Sequence, residues 1–156
     1  MKFVRLAFYL LVTAMSVSCF NAPEYNEVPE IEIVEIRSTK TVPSAGDSVV
    51  VVLAFKDGDG DLGKANSADT TPNLFITDHR FSLIDSQSYS IPNIPQKGSV
   101  PDISGTIEIN LIAKMYCNPL KPGASQDTLK FDFQVRDRSG NFSNIATSAA
   151  VILNCN

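Results

Sequence analysis

From Ile31 onward the apolar residues of this chain recur with a period of two, the pattern of strands with one face in a core and one in water. In "DTLKFDFQVRD", Leu129, Phe131, Phe133 and Val135 alternate with Lys130, Asp132, Gln134 and Arg136. "GTIEINLIA" repeats this through Ile107, Ile109 and Leu111. In "EIEIVEIR" the apolar phase jumps between Ile33 and Val34, which predicts a bulge or bend in an edge strand. "SVVVVLAF" is apolar throughout and β-branched, as a central strand buried along most of its length requires. Further strands are expected at Asn73 to Thr77, His79 to Ile84 and Ile145 to Leu153. The segments "IPNIPQKGSVPD" and "CNPLKPGASQ" are rich in proline, which has no N–H for a central ladder, so they read as connections. No stretch carries a helical apolar stripe with caps. The expected fold is all-β, an antiparallel sandwich of about seven strands over residues 30–156.

The first residues break the alternation. "MKFVRLAFYLLVTAMSVSC" has Lys2 and Arg5, an apolar run from Leu6 to about Val17, and small residues before Cys19. This is the layout of an export signal, and the run falls short of the ~20 residues of a spanning helix. "SVSC" resembles the lipobox of bacterial lipoproteins, in which the signal is cut before a cysteine that becomes lipid-modified. The resemblance implies a signal peptide over residues 1–18 and a lipidated Cys19; plain secretory cleavage is the alternative. The following "FNAPEYNEVPE", with two prolines and three glutamates, reads as the rest of a tether over residues 19–29. Such a protein is exported and held at a membrane through its N-terminal lipid, here the outer membrane on its periplasmic or cell-surface side.

Three cysteines, Cys19, Cys117 and Cys155, are an odd number for an exported chain. Lipidation of Cys19 leaves a pair, and a Cys117–Cys155 disulfide would contribute roughly 4 kcal/mol in the chain-entropy view; two buried thiols are the alternative. Of 13 basic residues, removal of Lys2 and Arg5 leaves 11 against 17 acidic ones, a net charge of −6. An acidic domain without a basic, aromatic-laced stripe makes nucleic acid a poor partner.

Two motifs add to the strand pattern. "DGDGDLG" follows the strand "SVVVVLAF", and "VRDRSGNFSN", residues 135–144, resembles the D-x-x-G-N-x-S turn that closes the last hairpin of many bacterial immunoglobulin-like repeats. With the strand order, the chain from Ile31 to Cys155 resembles an immunoglobulin-like or fibronectin-like domain of a bacterial surface lipoprotein. It has no tryptophan, so the buried tryptophan of antibody domains is missing. The resemblance implies that the second and sixth strands run the same way, so that Asp57, Asp59 and Asp61 share a pole with Asp137 and Asn141. By the same topology Cys117 and Cys155 share the opposite pole.

Chemistry concentrates in the loop of Asp57, Asp59 and Asp61. Calcium takes about six to eight oxygen ligands, and Gly58 and Gly60 are expected to let the chain curl until alternate carboxylates converge. The EF-hand pattern matches only its opening: the sixth position is Leu62 and the twelfth Ala68, where that loop needs glycine and glutamate. Further ligands are expected from Asp137, Asn141, Asp78, Asp69 or carbonyl groups, with calcium as the cation and Asp137 the leading addition. A solvated acidic turn is the competing reading. The single histidine, His79, rules out a two-histidine metal site and reads as a half-exposed strand residue. The leading function is a binding or structural module of the cell envelope that contacts protein or glycan. The alternatives are a carboxylate-dependent glycan hydrolase and an accessory subunit of an envelope complex; nothing in the sequence marks an enzyme.

Overall fold

The computed structural model describes residues 24–38, 48–80, 86–96, 101–112 and 125–154. The leader, Cys19, Cys117 and Cys155 lie outside the described residues, and of the strand expected at His79 to Ile84 only His79 and Arg80 are described; they form a turn after Asp78, so His79 is not a strand residue. Among the described residues nine strand segments form: β1 (Glu30–Ser38), β2 (Ser48–Asp57), β3 (Leu74–Asp78), β4 (Gln87–Tyr89), β5 (Ile103–Ile112), β6 (Gln126–Leu129), β7 (Phe131–Val135), β8 (Ala146–Thr147) and β9 (Val151–Asn154). Every pairing is antiparallel, in the orders β1-β2-β5, β4-β3-β7-β8 and β6-β9.

The last two groups are one sheet with a kink. The N–H of Phe131 donates to Ser148 Oγ (2.9 Å) and the N–H of Ser148 to the Phe131 carbonyl (2.8 Å), which carries the hairpin from β7–β8 into β6–β9. Each long strand is thus interrupted once, and nine segments make seven strands in two facing sheets. This is the antiparallel all-β sandwich that the alternation predicts.

The core lies between the sheets. Val49, Val51, Leu53 and Phe55 of β2 face Leu74 and Ile76 of β3 and Phe131, Phe133 and Val135 of β7, all buried. Full burial of such side chains stabilises by roughly 1.5–3 kcal/mol each before chain entropy is counted. The expected bulge is present: the β1–β2 register shifts between Ile33 and Glu35, and Val34 is left exposed. β4 has no apolar alternation and pairs only through three residues at the sheet edge, so its pattern was silent.

Residues 24–29, read from sequence as tether, lie against the domain. Pro29 is fully buried, Asn26 Oδ1 accepts the N–H of Val28 (2.9 Å), and the Asn26 carbonyl accepts the N–H of Gly58 (2.8 Å).

Candidate metal centre

β2 runs its last residue, Asp57, into the core, where it is completely buried opposite Ile103. The chain then reverses through Gly60 (φ 69°) and Gly63 (φ 93°), a left-handed conformation that suits glycine because it has no Cβ. Gly58 is not left-handed, so the curl attributed to Gly58 and Gly60 belongs to Gly60 and Gly63. Between these glycines Leu62 is fully buried in the hydrophobic core. It plugs the end of the sandwich and fixes the loop to it. At this position an EF-hand needs glycine, and here the packing of the loop replaces that conformational solution.

The result is convergence. One carboxylate oxygen from each of Asp57, Asp59 and Asp61 lies within 4.8 Å of the other two. Oxygens at roughly 2.3–2.6 Å from a common calcium ion can be no farther apart than about 5 Å, so the trio fits one coordination sphere. Its second oxygens serve the protein: Asp57 Oδ2 accepts the N–H of Leu62 (2.8 Å), and Asp61 Oδ2 accepts both the N–H and the hydroxyl of Ser139 (2.8 Å each). The Oδ1 atoms of Asp57, Asp59 and Asp61 are buried and accept no hydrogen bond. Burying polar oxygens without partners is costly, and a trio of carboxylates with such oxygens could hold a metal ion.

The electrostatics agree. Burial, opposed by the Leu62 N–H that favours the charged form and aided by the charges of Asp59, Asp61 and Asp137, pushes the Asp57 carboxyl up to about 6. Asp59 is also raised, first by burial and then by the charge of Asp61. A divalent ion supplies the opposite charge that both effects call for.

The turn after β7 reaches this loop, as the shared pole requires. The N–H of Arg138 donates to the Asp61 carbonyl (3.3 Å), and its guanidinium donates to the carbonyls of Gly60 (3.3 Å) and Gly63 (3.4 Å). On another side Gln96 Nε2 donates to the carbonyls of Asp59 (3.3 Å) and Pro101 (3.2 Å). Asp137 is buried at the same pole, but it stands outside the trio. Asn141 occupies its carboxylate, the N–H at Oδ1 (2.7 Å) and the side-chain amide at Oδ2 (2.9 Å), and Gly140 (φ 95°) closes the turn. Asp137 therefore acts on the trio through its charge and through the turn it organises.

The other candidate ligands are not brought to the trio. Asp69 accepts the N–H groups of Thr71 (2.9 Å) and Ala65 (3.2 Å), which hold its carboxyl below the usual range. Asp78 lies at the opposite pole, beside Phe131 at the start of β7. There Arg80 joins Asp78 and Asp127 in a buried ion cluster. His79 pairs with Asp132 (2.8 Å).

Leu62, Gln96, Arg138 and Ser139 were not legible as site residues. Leu62 alone left a local sign, an apolar residue between glycine-flanked acids. Comparison with protein-family models, with curated proteins and with solved structures found no match.

Proposed function

We propose that the chain is an exported, membrane-tethered immunoglobulin-like module that binds one calcium ion at Asp57, Asp59 and Asp61, and that the ion rigidifies the loop pole as a surface for protein or glycan. The observation that carries the ion is the convergence of one carboxylate oxygen from each aspartate within 4.8 Å of the others, beside a buried Oδ1 on each that accepts no hydrogen bond. Calcium is favoured over magnesium because the donors are carboxylates on a curved loop with main-chain carbonyls nearby, and magnesium demands near-ideal octahedral geometry. Asp137 adds a fourth negative charge close by. Lipidation of Cys19 and the Cys117–Cys155 disulfide belong to the same reading, on the sequence resemblance alone.

The test is a calcium titration by calorimetry together with thermal denaturation. Calcium at 100-fold over its dissociation constant stabilises the protein by about 2.7 kcal/mol. Asp59→Asn combined with Asp61→Asn is expected to abolish both the heat and the rise in melting temperature. A double variant that still responds to calcium like the wild type refutes the assignment.

A further inference from the structure

Gly58 lies between two members of the carboxylate trio, yet its own backbone conformation does not call for glycine: the left-handed glycines among the described residues are Gly60, Gly63 and Gly140. Space calls for it. A Cβ on Gly58 would lie 2.4 Å from the Tyr25 carbonyl oxygen and 2.8 Å from the carbonyl carbon and oxygen of Asn26. The N-terminal segment, residues 24–29, is therefore laid directly on the acidic loop, with the Gly58 N–H donating to the Asn26 carbonyl (2.8 Å). The contact continues on both sides. The Lys56 ammonium sits 5.8 Å from the centre of the Tyr25 ring, within range of a cation–π attraction. Asn26 Oδ1 holds the N–H of Val28, Pro29 is buried, and β1 begins at Glu30 opposite Lys56.

We propose that this segment is a strap latched by the ion: cation binding at Asp57, Asp59 and Asp61 holds Gly58 in register with Asn26, and loss of the cation releases residues 24–28. The inference rests on the ion-binding reading above. Its physical basis is that the Gly58 peptide joins Asp57 to Asp59. Asp57 is completely buried, with one oxygen unpartnered and turned to the trio. With no cation, three like charges within a few ångströms repel and drive the loop to splay. Any splaying moves the peptide that the strap needs. Linkage makes the effect reciprocal, so a docked strap strengthens cation binding by the same factor by which the cation strengthens docking. Release of Glu24 to Val28 would lengthen the link between the domain and residues nearer the N-terminus by roughly 15–18 Å at full extension. The ion would then set how far from its anchor the domain stands.

The chain has no tryptophan, so Tyr25→Trp places the chain's single tryptophan, excited selectively at wavelengths where tyrosine does not absorb, in the strap with its face still available to Lys56. The full chain is titrated with calcium in detergent micelles, following acrylamide quenching, and binding is measured in parallel by calorimetry. Quenching is expected to fall at least twofold, with a midpoint at the calorimetric dissociation constant. Adding Gly58→Ala is expected to keep the heat of binding at several-fold weaker affinity while quenching stays at its calcium-free value. Calcium binding with unchanged quenching in the Tyr25→Trp protein overturns the latch and leaves the ion site standing. No heat of binding overturns both. Should Gly58→Ala fail to fold, hydrogen exchange of residues 24–30 in the unaltered chain decides the question. Greater protection with calcium supports the latch, and equal protection overturns it.

Discussion

Asp57 combines complete burial with one oxygen satisfied by Leu62 and one left bare, an arrangement that favours either a proton or a cation on the carboxylate. Its folded-state value of about 6 stands above the ordinary value of 3.8, so between these values the ion-free folded state binds more protons than the unfolded chain. The sign follows from linkage. The stability that Asp57 contributes is fully present below the unfolded value and is lost as pH rises through about 6, on the order of 3 kcal/mol in all. Calcium reverses the slope, because it binds the carboxylate and must displace the proton. Its apparent affinity is expected to rise about tenfold per pH unit up to about pH 6 and then level off. Melting temperatures from pH 4.5 to 7.5, with chelator and with excess calcium, check this. The chelated protein should lose stability over that window relative to Asp57→Asn, and an equal slope in the two proteins contradicts it.

At the level of the element, the strands were legible because alternation is a local property of six to ten residues. β2, β5 and the β6–β7 strand carry their burial in their spelling, and the phase jump at Val34 became the observed bulge. The interruptions at Lys130 and at residues 148–150 were not legible. They arise where the long hairpin changes register, with Ser148 bonding Phe131 in place of a regular ladder. The loops separate two demands on glycine. Gly140 needs only its positive φ, and nothing lies within 4 Å of where its Cβ would be; alanine there is expected to cost about 1–2 kcal/mol from backbone strain alone. Gly60 needs the conformation and the space, since its Cβ would meet the Pro101 carbonyl oxygen at 2.0 Å. Gly60→Ala is therefore expected to lower the melting temperature more than Gly140→Ala and also to weaken calcium binding, which Gly140→Ala leaves nearly intact. Equal losses in denaturation and calorimetry would show that the approach of Pro101 does not hold the loop.

For the whole molecule, the two ends of the sandwich divide the charged groups. One pole gathers carboxylates with bare oxygens around a prospective cation, and the other neutralises Asp78 and Asp127 with Arg80, whose side chain is 6% exposed. Removing one partner of a buried ion cluster leaves uncompensated charge, so Arg80→Ala is expected to cost about 3–5 kcal/mol in urea unfolding. Because β3 and β7 separate that cluster from the loop, calcium affinity in the folded variant should stay at the wild-type value, and a changed affinity would mean that the poles are coupled. The sequence by itself determined the β class, the direction most strands face, and a run of acids spaced for convergence, since each depends on periodicity or on residue types a few positions apart. Only the tertiary structure decided that Ser139 would hold Asp61 across 78 residues, that Leu62 would seat the loop in the core, that Asn141 would occupy the Asp137 carboxylate, and that the N-terminal segment would lie on Gly58. Those contacts exist because strand order brings distant reversals to one end of two packed sheets, and no local pattern carries that order.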